Sequence, residues 1–304
     1  MIVSASLLTL SSCNNDVIEP DTGNKQESAN INMNSNIKGN EMLRIEVPRL
    51  AEGRKLVLVK STAQYGINYI TEWDCDKKSQ RWSCWEWNNS NSVKNWNRSN
   101  WNGSTWMGIT WTGDPFQADQ EIPSQYRTEL SDYKFSGYDR GHICASEDRI
   151  CNQNVNGQTF FLSNMQPQIN SFNAQVWANL ESQVRKWNNS SFRDTMWICK
   201  GGTIGNVFLN GKEVSGVLPN TTLNMPVPKY FYMAIVSKKN GEYKGIAFWL
   251  EHKPNNDNSF AKYAMSIDEL EKITGIDFFC NLPDNIENSV ESKSSFSTLS
   301  WGLQ

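Results

Sequence analysis

The residues best suited to chemistry in this chain fall between Gly137 and Trp187. His142 stands in GYDRGHICASEDR (137–149), on a tight segment that contains glycine. Asn164 follows in TFFLSNMQPQ (159–168), and Asn173 and Glu181 in NSFNAQVWANLESQVRKW (170–187). A histidine near its free pKa can take a proton from water at neutral pH. The stretch then offers a strand, a short loop, and a helix with an asparagine at its start and a glutamate two turns later. That order is a compact way to bring a base and a cation together. The only other histidine, His252, sits after a strand in LEHKP and reads as a structural residue.

These groups need a helix and a sheet to hold them. Val176, Trp177, Leu180 and Val184 recur at helical period and predict one apolar stripe. Asn173 and Glu181 are eight positions apart, which places them on neighbouring sides of a regular helix. KLVLVKS (55–61), YGINYITEWDC (65–75), RWSCWEWN (81–88) and TMWICKGGTIG (195–205) are β-branched and aromatic, and predict strands. Residues 227–253 predict a hairpin, with Asn240-Gly241 as its two-residue turn. SIDELEKITG (266–275) predicts a helix with a Ser266/Glu269 capping box and Gly275 at its C-terminal cap. No repeat or composition break divides the chain from about Arg44 onward, so one mixed domain is the economical reading.

Three motifs, taken in order, resemble the DNA/RNA non-specific endonucleases. They are DRGH (139–142), SNMxPQ (163–168) and N-x3-W-x2-LE (Asn173, Trp177, Leu180, Glu181). This family of ββα-metal nucleases includes secreted bacterial sugar-non-specific nucleases and mitochondrial endonuclease G, and the likeness runs from about Tyr65 to about Ser292. It implies an α+β fold over residues 44–304, a single mixed domain with a central antiparallel sheet and a ββα-metal motif. It implies metal-dependent, sequence-non-specific hydrolysis of phosphodiester bonds in DNA and RNA. His142 would be the general base. Asn173 would be the direct ligand of Mg²⁺, for which Mn²⁺ can substitute, and Glu181 would reach the metal through water. A single amide ligand is reasonable because Mg²⁺ keeps several waters. Asn164 would position catalytic groups, Arg140 would contact phosphate or brace the site, and Asp139 would set the local geometry. The family usually has a phosphate-clamping arginine where this chain has Ile109, two residues before Trp111. Arg98 or Arg127 would have to supply that cation. Without it, the scaffold would serve as a nucleic-acid-binding surface lipoprotein of weak activity. A third reading, a phosphodiesterase for small nucleotides, is distinguished by failure to cut plasmid.

The remaining features bound the partners and the compartment. The net charge of −3 excludes a strong overall positive field, so any groups that hold nucleic acid must be local. Trp96, Trp101, Trp106 and Trp111 could stack on bases or pin a loop to the domain. Stacking needs exposed rings, and pinning is the expectation. Asp148 and Arg149 are expected to serve structure. Residues 1–13 resemble a bacterial lipoprotein signal: an apolar run, then Leu10-Ser11-Ser12-Cys13, without an N-terminal Lys or Arg. This implies export and a lipid on Cys13 anchoring the protein at a bacterial membrane or cell surface; the alternatives are an unacylated export signal, with a periplasmic or secreted protein, or a chance match. Residues 14–43 are polar and are expected to be a flexible tether. Six further cysteines in an exported protein suggest disulfides; about fifteen connectivities are open and the sequence does not choose among them, Cys75–Cys84, Cys144–Cys151 and Cys199–Cys280 being one guess. The absence of CxxC speaks against zinc.

Overall fold

Along the predicted strands large apolar side chains point alternately to both faces, so each strand must be covered on two sides. The computed structural model describes residues 29–34, 39–219 and 223–304 and shows this cover. The main strands are β1 (Lys55–Thr62), β2 (Gly66–Asp74), β3 (Ser79–Trp87), β4 (Asp139–His142), β5 (Met165–Gln168), β6 (Thr195–Gly202), β7 (Tyr230–Lys239), β8 (Glu242–Glu251) and β9 (Ala264–Met265). Seven of them form one antiparallel sheet in the order β1-β2-β3-β6-β7-β8-β9, while β4 and β5 pair separately. The main helices are α1 (Ala178–Trp187), α2 (Ile267–Thr274) and α3 (Asp284–Glu291). The fold is α+β, as expected.

One face of the sheet presents Trp85, Trp87, Ile198, Phe231 and Met233 to Trp177, Leu180, Val184 and Trp187 of the α1 region. The opposite face presents Trp82, Cys84, Trp197, Cys199 and Tyr232 to Ile267 and Leu270 of α2 and to Phe278, Phe279 and Leu282. Each buried indole removes roughly 200 Å² from water, worth about 5 kcal/mol before ordering costs. The predicted hairpin is β7–β8. Its turn residues Asn240 and Gly241 have φ of 51° and 87°, as the tight two-residue turn requires. Ser266 and Glu269 form the capping box of α2, and Gly275 closes it in the left-handed region.

The tryptophan-rich loop is pinned rather than splayed. Trp101 and Trp106 are buried against Phe160 and Phe161, and their indole N–H groups donate to Asn156 and Asn154. Asp148 and Arg149 are structural, as expected: Arg185 pairs with Asp148 at 2.9 Å, and the buried Arg149 donates to Asn68 and to the Glu86 carbonyl.

One expectation fails. The three proposed disulfides do not form, and all six cysteines are free and buried. Cys84 lies directly across from Cys199 on neighbouring strands, facing the α2 side of the sheet, so neither meets Cys75 or Cys280. The described part of the supposed tether is packed. Asn34 is buried and donates to the carbonyls of Met42 and Pro48, and Asn32 donates to Asp277 and Glu287. Short polar side chains there satisfy the carbonyls of Met42, Pro48 and Leu282 and two C-terminal carboxylates, a role that composition does not reveal. The signal-like residues 1–13 and the rest of the tether up to residue 28 lie outside the described residues. Among the described residues no helix is long and apolar enough to cross a membrane.

Candidate active site

DRGH forms the strand β4, not a loop, and pairs residue for residue with β5, placing His142 opposite Met165 and Asp139 opposite Gln168. Glycine at 141 is a packing requirement, because a Cβ there would lie 2.2 Å from the Gln168 side chain. The β4–β5 pair is bolted to the large sheet through Gln166. Its amide nitrogen donates to the carbonyls of Gln80 and Gly202, and its oxygen accepts from the Gly202 N–H at 2.6 Å. Asn164 is wholly buried and braces the strand exit. Its oxygen accepts from the Cys144 N–H, and its nitrogen donates to the Cys144 and Thr159 carbonyls, each at 2.8 Å. Both Asn164 N–H groups are taken by backbone carbonyls and the side chain is sealed from the cleft, so what the geometry shows for it is bracing. Neighbouring Ser163 donates to Asp119, which is itself paired with the buried Lys60.

The helix that follows is not regular. Residues 170–172 are α-helical, Asn173–Trp177 form a π-turn, and α1 continues from Ala178. The cause is an inserted loop. The Val176 N–H leaves the helical ladder to donate to the Asn255 carbonyl at 3.1 Å, and the Asn255 N–H donates to the Ser171 carbonyl at 3.2 Å. A regular helix would separate Asn173 from Glu181 by about 80° around the axis, whereas one extra residue in a turn reduces this to about 20°. The π-turn therefore turns both side chains to one face, where a regular helix puts them on neighbouring sides.

Asn173 donates its Nδ2 to Asp139 Oδ2 at 2.9 Å, and Asn170 donates to the same oxygen at 3.0 Å. The anchored nitrogen fixes the amide orientation and leaves Oδ1 as the available donor atom. Glu181 is held by Lys200 of β6 at 2.5 Å. Burial pushes the Glu181 carboxyl above its ordinary value, and the Lys200 ammonium opposes that shift.

The His142 ring is half-buried between two phenyl rings, 4.9 Å from Phe160 and 5.6 Å from Phe116. Arg98 lies over Phe160 and Arg140 over Phe116, the latter at 3.9 Å. Burial holds His142 well below its ordinary value, and Arg98, Lys200 and Arg140 add to that effect. Its Nε2 is buried without a hydrogen-bond partner. A neutral imidazole beside two guanidinium groups can accept a proton near a bound anion.

Arg98, Asp114, Phe116, Asp139, Arg140 and Asn173 line a cleft of about 760 Å³, whose wall His142 meets through Phe116. Arg98 makes a two-pronged contact with Asp114, at 2.9 and 2.5 Å. Arg140 is exposed and makes no ion pair among the described residues, so it is not half of a structural pair with Asp139. Arg127 is bound to Glu129 and Gln120 and does not line the cleft. Ile109 sits in a small hairpin, 48% exposed, and does not line it either. Of the two candidate cations, Arg98 is the one at the site. His252 is structural: the Ile169 N–H donates to its Nε2 at 2.8 Å, so Nδ1 carries the proton and donates to the Pro228 carbonyl.

Lys200, Asn170, Phe116 and Phe160 did not emerge from the motifs. A lysine inside the otherwise apolar run MWICK is a signal of a partnered buried charge, and would have pointed to Lys200.

A family model described as DNA/RNA non-specific endonuclease matches residues 57–285. A Nostoc sp. protein named Nuclease is 34% identical over 233 residues, 76% of each chain. Nuclease 1, mitochondrial, of Schizosaccharomyces pombe is 32% identical over 55% of this chain and 54% of its own. Endonuclease G, mitochondrial, of Homo sapiens is 25% identical over 55% of this chain and 57% of its own. The chain thus spans about half the length of these mitochondrial relatives. The crystal structure of an EndoG/EndoGI complex shares the fold, with a TM-score of 0.59 and 24% identity over 75% of this chain and 88% of that one. The family match takes in all three motifs and most of the strands of the sheet, and the chain belongs to the DNA/RNA non-specific endonuclease family.

Proposed function

We propose that the chain is a Mg²⁺-dependent, sequence-non-specific endonuclease that hydrolyses phosphodiester bonds of DNA and RNA. The observation that carries this reading is the Asn173 amide, anchored through nitrogen to Asp139 so that its oxygen is the free donor at a cleft lined by Arg98 and Arg140. The donor set fits a hard cation: Asn173 Oδ1 would hold it directly, and the Glu181 carboxylate through water. When bound, Mg²⁺, or Mn²⁺ in its place, supplies charge stabilisation at the phosphate and at the leaving oxygen. His142, kept neutral by burial and its cationic neighbours, takes the proton from the attacking water. Arg98 and Arg140 bind the phosphate from the two sides of the histidine, and Asp114 fixes the Arg98 fork. Contacts of this kind read backbone and carry no direct sequence information. The weak-binder reading rested on the missing arginine at 109, and Arg98 in the cleft supports the active reading over it.

The test is digestion of closed circular plasmid and single-stranded RNA with Mg²⁺, with EDTA, and by His142→Ala with Mg²⁺. Loss of about 10²–10⁴ in turnover is expected for the variant, the usual range for a general base. Plasmid left intact by the wild type under every metal would sink the reading. Export and a lipid on Cys13 belong to the same proposal. Labelled palmitate should enter the protein and be lost in Cys13→Ser, and an unlabelled wild type would remove the anchor.

A further inference from the structure

A second oxygen-rich cluster lies on the opposite face of the sheet from His142. Asp268 and Glu271 are one helical turn apart on α2, and Glu291 is the last residue of α3. One carboxylate oxygen from each lies within 4.8 Å of the other two. Glu291 is only 3% exposed, and its Oε1 is buried with no hydrogen-bond partner. None of the three carboxylates has an ion-pair partner among the described residues. Lys293, two positions beyond Glu291, is engaged by Glu269 instead. Glu271 accepts one bond, from the Phe278 N–H at 2.7 Å. Two more acids, Asp277 and Glu287, stand close by, joined through the Asn32 amide.

Three gathered carboxylates, one of them sealed from water and unpartnered, are costly unless something positive or a proton joins them. We propose that Asp268, Glu271 and Glu291 form a structural binding site for a Ca²⁺ ion that clamps α2 to α3. An all-oxygen set selects hard cations over zinc or copper. Calcium takes six to eight oxygen ligands in flexible geometry, whereas magnesium keeps its waters and demands a near-octahedral shell. Donors offered by two helices, with the third almost sealed from water, suit calcium. Without a cation, three gathered carboxylates with one sealed from water favour a proton on the buried Glu291. The alternative to the metal is therefore a protonated Glu291.

The experiment uses the full chain, stripped with EDTA and desalted, with and without Asn173→Ala to silence the proposed catalytic ligand. Calorimetric titration with CaCl₂ should give one site per chain in both proteins. Saturating calcium should raise the melting temperature by about 5 °C for a chain of this size. Glu291→Gln should lose both the heat and the shift, and without calcium it should melt at or above the wild type. Asp268→Asn, on the more exposed side, should lose the site even if the first variant folds poorly. No binding at about 10 mM CaCl₂, well above the range of weak extracellular sites, overturns the proposal and leaves a protonated carboxyl pair. Binding that persists in both carboxylate variants overturns it as well.

Discussion

Replacing Asp139 by asparagine isolates the step that turns the Asn173 amide toward the cleft. In the native site one carboxylate oxygen accepts from both Asn170 and Asn173, at 3.0 and 2.9 Å. Those bonds are charge-assisted, which favours the rotamer that puts Asn173 Nδ2 inward and Oδ1 outward. A neutral amide at 139 weakens both and lets Asn173 present nitrogen, which is useless to a cation. Hydrogen bonds to a charged group contribute about 1.5–3 kcal/mol, against about 0.5–1.5 for neutral pairs. Losing the difference, about 1–1.5 kcal/mol of orientation, corresponds to roughly 5- to 13-fold weaker metal activation, near the lower end of the usual cost of losing an outer partner of a ligand. The assay is plasmid cleavage as a function of Mg²⁺ concentration. The half-activating concentration should rise by that factor, while turnover at saturating Mg²⁺ changes much less. A variant with unchanged half-activating Mg²⁺ and uniformly lower turnover would refute the orientation argument, provided its melting temperature matches the wild type.

Three further outcomes test the rest of the site. Arg98→Ala should raise KM for nucleic acid and lower kcat/KM by about 10- to 100-fold, the loss of one charge-assisted phosphate contact, whereas Arg127→Ala and Ile109→Arg should leave both within about twofold of the wild type, a small change for surface positions; an equal loss in Arg127→Ala would contradict the assignment. Because His142 is held well below its ordinary value, the acid limb of kcat/KM should lie below about pH 6.5. The linked stability change has a definite sign: above that pH the ring is neutral in both states, and as pH falls through it the unfolded chain alone takes up the proton, so stability falls and the fall should be absent in His142→Ala. Lys200→Met should destabilise the protein by about 3–5 kcal/mol in urea unfolding, since it leaves the Glu181 carboxylate without its buried partner; a loss under about 1 kcal/mol would mean the pair is not formed as described.

Much of this protein is legible in its sequence because the information is local. Unbroken apolar runs in MWIC and YFYMAIV decide that both sheet faces are covered. Asn240-Gly241 and the Ser266/Glu269 box are short-range chemistry and appear where expected. The motifs locate His142, Asn173 and Glu181 because each motif residue lies within a few positions of its neighbours. Tertiary structure alone decided whatever depends on segments distant in the chain. Asn255 enters the helix and creates the π-turn that aligns Asn173 with Glu181. Lys200 meets Glu181 only because α1 crosses β6, and Arg98 reaches the cleft only because its loop folds beside Phe160. Cysteine pairing failed as an expectation for the same reason. Spacing along the chain says nothing about which strand lies next, and it is the β3–β6 pairing that puts Cys84 opposite Cys199.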